Sequence, residues 1–107
     1  MFHSGYTLAR MPFSVVLAPE AVEDLNRLKA SARSTVKAAL QTHLQSEPEK
    51  ISRSRIKRLR GLSRPQYRLR VGDIRVFYDV VDGVVEVLAI VPKSETSIWL
   101  AQFGKAQ

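Results

Sequence analysis

The chain has 107 residues, 45% hydrophobic and 25% charged, which is material for one globular domain and leaves no room for a multi-domain enzyme or a disordered chain. Seventeen Lys and Arg against ten Asp and Glu give a net charge of +7, an excess that points to a polyanionic partner or an acidic protein. There is no cysteine, so disulfides, thiolate metal sites and cysteine nucleophiles are excluded, and His3 and His43 lie too far apart in sequence to suggest a metal centre.

Residues 1–10 have neither a basic start nor a sustained apolar run, so they read as a leader or arm rather than a signal peptide. The folded unit is expected as a single domain over residues 11–107. No apolar run approaches the roughly 20 residues that cross a bilayer, so no membrane partner is expected. Phe13 to Leu17 is a short β-branched run closed by Pro19, which predicts a first strand. Pro19 suits a first helical position, and Glu20, Glu23 and Asp24 favour the positive end of a helix. Val22, Leu25 and Leu28 then supply its buried stripe. The chain can break and recap at Ser31 or Ser34, and Val36, Leu40 and Leu44 predict a second helix ending before Pro48.

Residues 49–65 are polar and basic, with Ile51, Ile56, Leu59 and Leu62 as apolar anchors. Tyr67, Leu69 and Val71 alternate with Arg68 and Arg70, the period of a strand. Gly72-Asp73 turns the chain, residues 74–81 form the next strand, and Asp82-Gly83 signals a tight hairpin. Residues 84–91 are apolar except for Glu86, as in a strand covered on both faces. Pro92 closes it, and residues 94–103 read as a closing helix or extension with Ile98 and Trp99 packing on the body. The expected fold is α+β: an N-terminal strand and αα-hairpin on a small, mainly antiparallel sheet (β-α-α-β-β-β) with a short C-terminal helical piece.

The charge is concentrated. Residues 50–75 hold Lys50, Arg53, Arg55, Lys57, Arg58, Arg60, Arg64, Arg68, Arg70 and Arg75 against Asp73 alone, a surplus of nine, while the rest of the chain is net acidic by two. Eight of these ten are arginines, whose planar forks hold phosphate through paired hydrogen bonds. Arg68 and Arg70 are two apart on a strand and project from one face. Arg75 follows a tight turn and is expected opposite them, unless it pairs with Asp73, Asp79 or Glu86. Three guanidinium groups gathered this way suit a phosphate, where positioning and charge neutralisation carry phosphoryl chemistry.

Residues 55–62 (RIKRLRGL) followed by residues 67–91 (YRLRVGDIRVFYDVVDGVVEVLAIV) resemble the RelE/ParE superfamily of toxins from bacterial type II toxin–antitoxin pairs, closer to RelE-like members. The resemblance implies a cytoplasmic toxin that needs no metal or other cofactor and is neutralised by a cognate antitoxin. Operator DNA would be reached only through that antitoxin. RelE-like members cut mRNA in the ribosomal A site by attack of the 2′-hydroxyl on the adjacent phosphate. Carried across by motif, Arg68 and Arg70 match an alternating basic pair and Arg75 matches a next-strand arginine. Lys93 occupies the C-terminal basic neighbourhood. There the sequence departs from the pattern, since Ser94 falls where the family has arginine, and Trp99 and Leu100 fall near its tyrosine.

Two functions follow. The first is a metal-independent, ribosome-dependent mRNA endoribonuclease that arrests translation. Arg68, Arg70, Arg75 and Lys93 would be its catalytic residues, with Lys57, Arg58, Arg60 and Arg64 binding RNA, and Lys93 or Glu95 would move the proton. Tyr67 and Tyr78 are either proton donors or core residues, and Trp99 is either a packing anchor or a base-stacking platform. The alternative is a ParE-like inhibitor of DNA gyrase, or a toxin without nuclease activity, depending on its helical hairpin and C-terminal tail.

Overall fold

A computed structural model describes residues 12–107; the arm expected at residues 1–10 lies outside the described residues. Val15 and Leu17 are sealed from solvent while Ser14 and Val16 are not, so the first apolar run forms strand β1 (Ser14–Leu17) with one buried face. Pro19 ends it and opens helix α1 (Pro19–Arg27), whose Ala21 and Leu25 are buried. The expected break at Ser31 or Ser34 comes earlier. Leu28 and Lys29 are both extended (ψ 151° and 152°), and helix α2 (Ala30–Ala39) starts directly after them. The reason is packing: Leu28 turns onto the core, and Arg33 Nη1 reaches back to donate to its carbonyl at 2.9 Å. Helix α2 runs on into a π-helical turn (Leu40–Leu44), keeping Val36, Leu40 and Leu44 buried on one line as the spacing predicts.

The basic stretch adds two elements to the expected β-α-α-β-β-β order. It contains strands β2 (Ile56–Arg58) and β3 (Leu62–Arg64), too short to show a period. Ile56 is the reason for the first: it is buried and sits opposite Leu69, giving β2 one core-facing anchor. Strands β4 (Tyr67–Val71), β5 (Ile74–Val81) and β6 (Val84–Pro92) form the expected meander. Asp82 and Gly83 both take positive φ (51° and 77°), the backbone a two-residue hairpin between right-twisted strands requires. A turn at Lys93–Glu95, helix α3 (Thr96–Phe103) and a two-residue strand β7 (Lys105–Ala106) finish the chain.

The main sheet has the order β1-β6-β5-β4-β2, antiparallel throughout except that β1 runs parallel to β6. A second, two-stranded sheet joins β3 to β7. Helices α1 and α2 cover one face, burying Leu25, Val36, Leu40 and Leu44 with Leu69, Val76, Tyr78, Val85 and Val87. On the other face Phe77, Ala89 and Val91 pack under Leu59 and under Trp99 and Leu100 of α3. Tyr78 belongs to the core: it is fully buried and its hydroxyl donates to the Pro48 carbonyl at 2.6 Å, tying the end of the helical hairpin to the middle of the sheet. Burial, then Tyr67 and Glu49, push its phenol well above the usual range, so it cannot serve as an acid or base near neutrality.

Two outcomes follow from this packing. Tyr78→Phe strands the Pro48 carbonyl in a dry site and should lower unfolding free energy by about 1–3 kcal/mol, read as a reduced urea midpoint at unchanged slope. Burial, and Arg55 beside it, hold the His43 imidazole below its usual range. The unfolded chain therefore takes up a proton first as pH falls below about 6.5, so His43 contributes a stability that is full above that pH and lost below it. Melting temperatures between about pH 7.5 and about pH 5.5 should drop in the wild type and change less in His43→Gln.

Candidate nucleic-acid interface

Strand register decides which basic residues meet. Lys57 of β2 lies opposite Arg68 of β4, Arg68 opposite Phe77 of β5, and Phe77 opposite Ala89 of β6. In the next row Arg70 lies opposite Arg75, and Arg75 opposite Val91. Partners across an antiparallel pair project from the same face, so Lys57, Arg68, Arg70 and Arg75 share the face opposite α1 and α2. None of them forms an ion pair among the described residues. Lys93 starts two residues past Val91, its backbone N–H donating to the Asp73 carbonyl at 2.7 Å, which puts it at the end of the arginine row with an exposed side chain.

The three arginines differ in what their guanidinium groups do. Arg75 is only 6% exposed, and its Nη1 donates to the carbonyls of Gly72 (2.8 Å) and Ile74 (3.1 Å), so it braces the β4–β5 turn and takes none of the acidic partners open to it in the sequence. Arg68 has a buried Nε with no hydrogen-bond partner. Burial first, then Arg75 and Arg70, hold its guanidinium below the usual arginine range. It stays charged at neutral pH, carrying an unmet donor and an unrelieved repulsion. Arg70 is exposed. An anion lying across Arg68 and Arg70 would satisfy that donor and cancel the repulsion.

Residues 15–96 match the family described as ParE toxin of type II toxin–antitoxin system, parDE. The chain belongs to the RelE/ParE superfamily of toxins. Its backbone is similar to that in the crystal structure of the archaeal RelE-RelB complex from Pyrococcus horikoshii OT3, at 27% identity and a TM-score of 0.65, covering 78% of this chain and 97% of that one. A RelB-RelE antitoxin-toxin complex from Methanococcus jannaschii shares the fold at 19% identity and a TM-score of 0.57, covering 78% and 95%. No curated protein matches the sequence.

The remaining expected contact residues of the toxin are dispersed. Arg58 faces away from Lys57, its guanidinium 5.1 Å from the Tyr67 ring centre, and that ring stacks on Tyr78 at 5.4 Å. Arg60 is exposed in the turn between β2 and β3. Arg64 is held by Asp79 (3.2 Å) and Glu86 (3.2 Å), which face each other across β5 and β6. Asp79 also accepts from the Gln66 N–H at 2.7 Å, and Gln66 Oε1 accepts from Val80 N–H at 2.8 Å. Arg64 stands in the basic run of the sequence, and nothing local in the sequence reveals this cluster, because its three charges come from three different strands. Trp99 stacks flat on Phe77 at 4.9 Å, which makes it the anchor of α3.

Arg64→Ala would leave Asp79 and Glu86 side by side with no cation between them. It should cost roughly 1 kcal/mol of stability by chemical denaturation, and adding Glu86→Gln should restore most of that loss.

Proposed function

We propose that this toxin arrests translation by cutting mRNA at the ribosome without a metal ion, the four-residue basic face on β2, β4 and β5 holding the scissile phosphate. The supporting observation is the convergence of Lys57, Arg68, Arg70 and Arg75 with, among the described residues, no carboxylate paired to any of them and one arginine donor unmet. In cleavage by the neighbouring 2′-hydroxyl, negative charge grows on the phosphate oxygens. Donors fixed before reaction stabilise that charge without reorganising. Arg70 and Arg68 face the phosphate, Lys57 holds the adjoining backbone, and Arg75, locked to the turn, keeps the row rigid. As the 2′-oxygen bonds to phosphorus the P–O5′ bond breaks; arginine is too basic to accept a proton, so Lys93 is assigned removal of the 2′-hydroxyl proton and its delivery to the departing 5′-oxygen, Tyr78 being out of reach in the core. The antitoxins present in both similar complexes support an antitoxin as partner here, with acidic groups over the same face.

A second reading, gyrase inhibition or another non-cleaving action, is favoured by one observation: Arg75 is spent on backbone carbonyls.

One assay separates them. Primer extension on a defined mRNA should give new 5′ ends near one codon only when purified ribosomes and toxin are both present. Arg70→Ala, an exposed change that spares the turn, should reduce cleavage at least tenfold and lower the salt slope of RNA binding by about 1. Intact mRNA at toxin levels that stop growth would refute cleavage and send the search to gyrase supercoiling.

A further inference from the structure

The cross-strand row of Arg75 and Arg70 does not stop at β4. The Arg70 N–H donates to the carbonyl of Arg55, the residue just before β2, at 2.8 Å. Arg55 therefore carries the row one more strand spacing, ~5 Å, to the edge of the sheet. There its side chain meets the end of the helical hairpin. Together with His43, Glu47, Lys50 and Ser52 it lines a pocket of about 370 Å³ over the buried Ile56.

The pocket holds donors and charge that the protein itself does not use. Arg55 forms no ion pair and no side-chain hydrogen bond among the described residues. Ser52 Oγ accepts from the Arg55 N–H at 3.0 Å and the Ile56 N–H at 3.1 Å, which fixes the oxygen and leaves its hydroxyl proton to donate. Glu47 is the one carboxylate lining the pocket, and Lys50 holds it at 3.7 Å. That pair cancels, so Arg55 sets the sign. Burial and the Arg55 charge both disfavour a proton on the imidazole of His43. An anion between the two would turn that repulsion into attraction for each.

We propose that the pocket of Arg55, His43 and Ser52 is a second phosphate site, holding a phosphodiester of the same RNA strand whose scissile phosphate lies on Arg68 and Arg70. The identity of the strand rests on the cleavage reading above. The strand then runs from the arginine face around the β2 edge to the end of the hairpin. Arg55 offers a two-donor fork, Ser52 a hydroxyl, and His43 a further donor once protonated. Contacts to phosphate position a strand without reading its bases, so the pocket sets where the RNA is held rather than which codon is cut. Binding there also takes up a proton on His43, with Glu47, Lys50 and Arg55 as the charged groups that face it.

Fluorescein-labelled 2′-O-methyl oligonucleotides, which lack the attacking hydroxyl, are titrated into the toxin and followed by anisotropy. A trinucleotide occupies the arginine face alone; an octanucleotide also reaches the pocket. Arg55→Ala should weaken the octanucleotide roughly tenfold and lower its salt slope by about 1, while leaving the trinucleotide unaltered. Arg70→Ala should weaken both. Arg55→Glu should weaken the octanucleotide further, and Lys105→Ala, the same loss of charge on β7, should leave it unaltered. Octanucleotide affinity should rise from about pH 7.5 to about pH 6 in the wild type and rise less in His43→Gln. In proton NMR the His43 imidazole, assigned by its loss in His43→Gln, should titrate at higher pH once the octanucleotide is bound. An octanucleotide indifferent to Arg55→Ala, or a His43 titration that it leaves unmoved, overturns the proposal. So does a His43 signal that inorganic phosphate moves and the octanucleotide does not, which would give the pocket to a free anion. Failure of the cleavage reading shows separately, as intact mRNA in the primer-extension assay whatever Arg55 does to oligonucleotide binding.

Discussion

Strand β5 lies in the middle of the sheet, and its alternation governs both faces of the molecule. Val76 and Tyr78 enter the core under α1 and α2, which commits Arg75, Phe77 and Asp79 to the other side. A residue there has neighbours on both strands and little water, so each must find a partner at short range. Arg75 takes turn carbonyls, Phe77 takes Trp99, and Asp79 takes Arg64 and the Gln66 N–H. A one-residue slip of β5 would put a guanidinium and a carboxylate into the core and a phenol into solvent, so the register is strongly specified.

The second face is thereby divided into three zones. Basic side chains gather at the end near the β4–β5 turn, an aromatic stack occupies the centre, and the Arg64–Asp79–Glu86 cluster closes the far end. The central stack separates the basic row from the two carboxylates that would otherwise neutralise it. Arg68 shows the consequence, a half-buried cation with like charges beside it and one donor unmet. Such an arrangement lowers stability and is ready for an anion, the trade expected of a binding site.

The C-terminal helix is held to the sheet through Trp99 and Leu100 and through the strand pairing of Lys105–Ala106 with Leu62–Arg64. This is where the sequence departs from the RelE-like pattern: Trp99 fills with packing a place where the family resemblance leads one to expect a titratable group.

Much of this was legible in the sequence. Period-two alternation from Tyr67 to Val71, the Asp82-Gly83 turn and the four-residue spacing of Val36, Leu40 and Leu44 each express a local rule, and each element formed where it should. Sharing of a face by Arg68 and Arg70 follows from the same rule. Local rules stop at contacts between segments distant in the chain. The parallel docking of β1 on β6, the recruitment of Ile56–Arg58 as an edge strand, and the capture of Arg64 by Asp79 and Glu86 depend on register across strands. The pocket at His43 needs Arg55 to meet the end of the helical hairpin from the sheet edge, a contact that no local spacing announces. Composition and periodicity determined which residues are basic, apolar or turning; only tertiary packing decided which of the charges stay unpaired, because pairing is a matter of distance in space.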